Sequence, residues 1–107
     1  MTGRLSSAVL TSALLRRVND SGGMGMVRAK GDAQGGAILV IATQHGADPR
    51  MLERGIGPDG RTALIASTAE DAEAYWRKRR SSDPDLWVIE LDIAEAERLV
   101  AEMLLDD

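Results

Sequence analysis

The sequence predicts a single α+β domain, with a mainly antiparallel five-stranded sheet and helices in the order α-β-β-β-β-α-β-α. Three observations carry this prediction. Apolar residues recur at helical spacing in three separate stretches. Five short β-branched or apolar runs lie between them, and those in the first half are joined by turns too short for parallel crossovers. The length, 107 residues, fits one domain able to bury one core.

The first helix is expected over residues 6–19, where Leu5, Val9, Leu10, Ala13, Leu14 and Val18 share a face. Ser6 or Ser7 supplies the cap, Arg16 and Arg17 suit the negative end of the helix dipole, and Gly22 stops it. Residues 24–30 read as a short strand and 31–36 as a glycine-rich turn. Residues 37–44, with the sequence AILVIATQ, read as a central strand. His45, Gly46, Ala47 and Asp48 form the next turn, followed by a strand near 49–54. Gly-Pro-Asp-Gly at 57–60 is a strong turn signal before a fourth strand at 62–66.

The period then changes. Ser67 and Glu70 match a capping box for a second helix, whose Ala69, Ala72, Trp76 and Arg79 share a face and which ends near Ser81 ahead of Pro84. Residues 86–91 (LWVIEL) are the fifth strand. Asp92 and Glu95 resemble a second capping box, opening an amphipathic helix with Ile93, Ala96, Leu99, Val100, Met103 and Leu104 on one stripe. The economical packing of these elements is one curved antiparallel sheet with its helices on one face. The whole of 1–107 is one domain, with 92–107 as its C-terminal helix.

Composition narrows the function. The 13 basic and 17 acidic side chains leave a net charge of −4, which disfavours a general nucleic-acid binder. The absence of cysteine excludes disulfides, thiolate nucleophiles and Cys-ligated metals, and fits a cytoplasmic location. Residues 1–15 lack a convincing cleavage site, and no stretch reaches the ~18 apolar residues of a membrane span. A mature cytoplasmic protein without a membrane partner is expected.

Three segments, Arg4-Leu-Ser-Ser with Ser12-Ala-Leu-Leu-Arg-Arg17, Arg28-Ala-Lys-Gly-Asp-Ala-Gln-Gly-Gly-Ala-Ile38, and Arg79-Arg-Ser-Ser-Asp-Pro-Asp-Leu-Trp-Val-Ile-Glu90, together resemble domain-of-unknown-function family 1491 of small bacterial proteins. The resemblance spans about residues 4–91 and is most specific at Asp83-Pro-Asp-Leu-Trp-Val with its preceding basic residues. The C-terminal helix departs from the family's pattern and reads as a local elaboration. The resemblance implies a single bacterial domain and adds no catalytic residues.

The side chains offer several candidate sites. Gly22, Gly23 and Gly25 around Met24 could expose backbone donors to phosphate, but they lead from a helix into a strand, the reverse of a phosphate loop. His45 is the only histidine and has no evident orienting partner. Asp83, Asp85, Glu90 and Asp92 could hold a hard cation, yet Asp92 reads as a cap and Asp83-Pro-Asp as a turn. Trp76 and Trp87 sit at positions suited to the core. The sharpest charge cluster is Arg77, Lys78, Arg79 and Arg80, an anion-binding candidate if Arg16 and Arg17 join it. The stripe Ile93, Leu99, Val100, Met103 and Leu104 is a candidate interface for a second copy of the chain.

No catalytic, metal or cofactor residue is assigned. The leading expectation is a non-enzymatic protein-interaction or accessory module whose partner is another protein or itself. The alternatives are an anion-binding module at Arg77 to Arg80, then a metal-assisted hydrolase or transferase using Asp83, Asp85 and Glu90.

Overall fold

The structure, a computed structural model, describes residues 5–105. Its elements are α1 (Ser7–Asp20), β1 (Met24–Ala29), β2 (Ile38–Gln44), β3 (Ala47–Ile56), β4 (Thr62–Ser67), α2 (Ala72–Ser82), β5 (Trp87–Asp92) and α3 (Ala96–Leu105). The predicted order and class are those observed. The sheet runs β1-β5-β2-β3-β4. Three pairings are antiparallel and one, β2 with β5, is parallel, so the sheet is mixed.

The parallel pair explains the layering. β2 is buried from Ile38 through Thr43, and β5 alternates its side chains between two covered faces. Ile38, Val40, Ala42, Trp87, Ile89 and Leu91 meet Leu14 and Val18 of α1 and Ala96, Leu99, Val100 and Leu104 of α3. Leu39, Ile41, Met51, Leu86 and Val88 meet Trp76 of α2 on the opposite face. The expectation of helices on one face is therefore corrected. A central strand apolar on both sides needs cover on both sides, and α2 supplies the second layer. Trp76 is the one buried residue of α2, so its loss would cost about 3–5 kcal/mol.

The caps also differ in part. Ser6 caps α1 as expected, accepting the Val9 N–H. α2 starts later than the Ser67–Glu70 box: Asp71 is the cap and accepts the Ala74 N–H at 3.0 Å, while Ser67 ends β4. Asp92 does not cap α3. Its carboxylate reaches across the sheet end to the β2–β3 turn and accepts the backbone N–H groups of His45 and Gly46, each at 2.8 Å. Both turn residues have positive φ (55° and 72°), the two-residue hairpin turn that matches strand twist. The bonds to Asp92 fasten that turn to the end of β5.

Candidate functional site

The basic cluster on α2 does not present four cations to one surface. Arg79 crosses to β3 and donates to both carboxylate oxygens of Glu53, at 2.7 and 2.9 Å, and to the Tyr75 hydroxyl at 3.2 Å. These bonds to Glu53 raise its pKa above the ordinary arginine value. Arg80 turns toward the loop before β5, where one guanidinium nitrogen donates to the carbonyls of Lys30, Pro84 and Leu86. Arg77 pairs with Glu73 one turn back and lies 5.0 Å over the Trp76 ring. Lys78 is exposed and makes no ion pair among the described residues. Arg16 and Arg17 lie on α1, across the sheet from α2, and Arg17 pairs with Glu102 of α3. The structure thus brings neither pair of arginines to the other.

The bonds of Arg80 belong to a larger junction. The 31–36 turn packs so closely on the 85–87 segment that a Cβ on Gly31 or Gly36 would lie 2.1 Å from the Asp85 carbonyl oxygen. The Asp32 N–H donates to that carbonyl, and the Trp87 indole donates to the Asp32 carbonyl at 2.7 Å. The same turn receives the start of α1: the Ser7 and Ala8 N–H groups donate to the Gln34 and Ala33 carbonyls, and the Ser7 hydroxyl to Gly36. The first helical donors of α1 are therefore satisfied by protein.

Three of the acidic candidates are engaged within the protein in the same way. Asp83 accepts the Asp85 N–H, Glu90 faces Arg28 at 3.6 Å, and Asp92 holds the His45–Gly46 turn. Among the described residues, no three His, Asp or Glu side chains converge as metal ligands would. Gly22 takes φ +90° after α1, and Gly23 lies against the Asp92 carbonyl, which leads α1 tightly into β1.

Concavities among the described residues accompany these features. A cleft of about 460 Å³ lies beside the 31–36 turn, walled by Leu5, Leu10, Ile38 and Leu104 with Gln34 and Arg54 on its polar side. A smaller one, about 210 Å³, lies at the end of β2 between Gln44, Asp48, Arg50 and Ala96. Arg50 is ion-paired with Glu97 there.

Seven large apolar residues are exposed among the described ones. Leu5, at the larger cleft, and Val9 lie at the start of α1; the other five gather at the two edges of the sheet, Met24, Met26 and Val27 on β1, Ile65 on β4 and Ile56 at the end of β3 beside β4. The C-terminal stripe is differently placed: Leu99, Val100 and Leu104 are buried against the chain's own sheet, with Ile93 and Met103 partly buried at the margin.

A family model described as a protein of unknown function (DUF1491) matches residues 5–101. The chain belongs to the DUF1491 family. A crystal structure of a DUF1491 family protein from Caulobacter crescentus CB15 superposes with a TM-score of 0.79 at 28% identity, covering 94% of this chain and 98% of that one. An NMR structure of a DUF1491 family protein from the same organism gives 0.71 at 30% identity, covering 92% and 94%. The solution structure of protein Atu0922 from A. tumefaciens gives 0.74 at 28% identity, covering 98% of both chains. No curated protein matches the chain. No helix among the described residues is long and apolar enough to cross a membrane.

In this DUF1491 chain the segments that carry the family resemblance meet in space. The glycines of 31–36 and the Asp83-Pro-Asp-Leu-Trp run form the two sides of the junction closed by Arg80. Their spacing serves close backbone approach, which accounts for glycine at 31 and 36 and for arginine at 80. Sequence reasoning saw these residues as a turn and a charge cluster. It missed Glu53, which stands between Leu52 and Arg54 in a strand that also carries Asp48 and Arg50, so nothing local marks it. It also missed which strands form the edges of the sheet, legible only once strand order is known.

Proposed function

We propose that this DUF1491 protein is a non-enzymatic protein-interaction or accessory module of the bacterial cytoplasm, engaging its partners through the open edges of its sheet. The observation that carries this reading is the gathering of exposed large apolar side chains on β1, on β4 and beside β4. An edge strand presents unpaired backbone donors and acceptors, and apolar side chains beside them give a docking strand both hydrogen bonds and contact area. The anion-binding alternative is left with Arg77 and Lys78 as its outward cations, since Arg79 and Arg80 are committed to Glu53 and to three carbonyls.

The test is affinity capture with the tagged chain from lysate of its own organism, comparing wild type with Met26→Glu on β1 and Ile65→Lys on β4. The reading predicts a stoichiometric partner, or untagged copies of the chain, retained by wild type and lost by an edge variant. Identical recovery by all three proteins would contradict it.

A further inference from the structure

The two edges of the sheet are built differently. β1 carries a register break between Val27 and Ala29, with Arg28 at the break reaching Glu73 and Glu90. A bulge and a charge are the usual devices that stop an edge from pairing with another chain. β4 has neither. Its six residues, TALIAS, include no charge and no proline, and they pair with β3 in unbroken register from Ile56–Thr62 to Met51–Ser67. Ile65 is 40% exposed on it, Thr62 and Ala66 are exposed, and the neighbouring Ile56 is 69% exposed. β4 is the last strand on its side, so its outer backbone groups meet no other strand among the described residues.

We propose that β4 pairs antiparallel with β4 of a second copy of this chain, joining two sheets into one across a two-fold axis. This rests on the edge-interaction reading above and names its partner. The charges flanking the strand select that occupant. Arg61 precedes β4 and Glu70 follows it; both are exposed, and neither forms an ion pair among the described residues. Antiparallel pairing carries each Arg61 toward the partner's Glu70, twice by symmetry. Parallel pairing would set like charge beside like charge. The uncharged strand between them places no like charges opposite one another at any register. The interface is isologous, as a two-fold dimer requires.

Sedimentation equilibrium from micromolar to near-millimolar concentration tests the pairing. Wild type is expected to approach the mass of two chains. Ile65→Lys, which adds a charge to an exposed edge position, is expected to remain monomeric with its circular-dichroism spectrum unchanged. Arg61→Glu and Glu70→Arg, both at exposed positions outside the core, are each expected to weaken association about fivefold, as two exposed ion pairs would. The double reversal is expected to restore it. A monomer at every concentration, or a dimer indifferent to Ile65→Lys and to both reversals, overturns the proposal. A monomer that still loses a heterologous partner through Met26→Glu overturns the β4 pairing and leaves the interaction reading standing.

Discussion

Arg79 and Glu53 lock α2 to β3 through two parallel hydrogen bonds of 2.7 and 2.9 Å between residues 26 positions apart. The pair is only partly exposed and bidentate, the arrangement in which a charge pair contributes most. Arg79→Ala and Glu53→Gln are each expected to lower stability by about 1–2 kcal/mol, and Arg79→Lys to recover only part of it. Urea denaturation of the two single variants and the double variant would give a coupling of about 1 kcal/mol. The raised pKa of Arg79 sets the sign of its pH dependence. A group raised in the folded state stabilises the fold below its unfolded pKa, and that contribution fades only as pH climbs through the folded value. The Arg79 contribution is thus constant through the neutral range, as denaturation midpoints across pH would show.

The glycines of the 31–36 turn give a sharper contrast. Gly31→Ala and Gly36→Ala each drive a methyl to 2.1 Å from the Asp85 carbonyl oxygen, whereas Gly35 has open space around the equivalent position. Either close variant is expected to cost more than about 3 kcal/mol or to prevent folding, while Gly35→Ala changes stability by less than about 1 kcal/mol. Thermal melts of the three proteins compare them directly.

At the other end of the sheet, Asp92→Ala removes both acceptors of the His45 and Gly46 N–H groups. A loss of about 1–2 kcal/mol is expected. His45 holds φ 55°, where asparagine is more comfortable. His45→Asn is therefore expected to leave stability equal or raise it by about 0.5 kcal/mol. Chemical denaturation of both variants checks the pair of signs, and a destabilising His45→Asn would argue against the turn geometry.

Thr43 supplies a prediction of opposite direction. Its hydroxyl is buried at the end of β2 and has no hydrogen-bond partner among the described residues. Thr43→Val keeps the shape and β-branching and removes the unsatisfied group, so a gain of about 1 kcal/mol is expected in the same assay.

Much of this architecture was legible because it is local. The helical stripes of α1 and α3, a turn at His45–Gly46 (two residues shorter than expected, since Ala47 and Asp48 already belong to β3) and the burial of Trp76 and Trp87 follow from period, glycine placement and residue type within short windows. The misreadings share a cause, competition from residues far along the chain. Asp92 had the spacing of a helix cap, but its carboxylate serves a turn 46 and 47 residues earlier. Ser67 and Glu70 fit a capping box, yet Ser67 is held in β4 by Met51 across the strand pair, and Asp71 takes over. The continuous apolar runs of β2 and β5 read as strands, with helices expected on one face only; both faces of these strands are covered, and α2 supplies the second layer. At the candidate site, Arg79 and Arg80 read as free charge because Glu53 and the Lys30 carbonyl lie 26 and 50 residues away. The bare edge at β4 depends on strand order, which no local pattern encodes.

Hydrogen exchange of the β4 amides, followed by NMR at two protein concentrations, tests most directly that β4 is the edge on which two copies of the chain meet. If β4 of one copy pairs with β4 of another, the amides of 62–67 that point away from β3 gain protection as concentration rises, while those of β1 do not. Fast exchange of the outward β4 amides, unchanged over a hundredfold range of concentration, would contradict the β4 pairing.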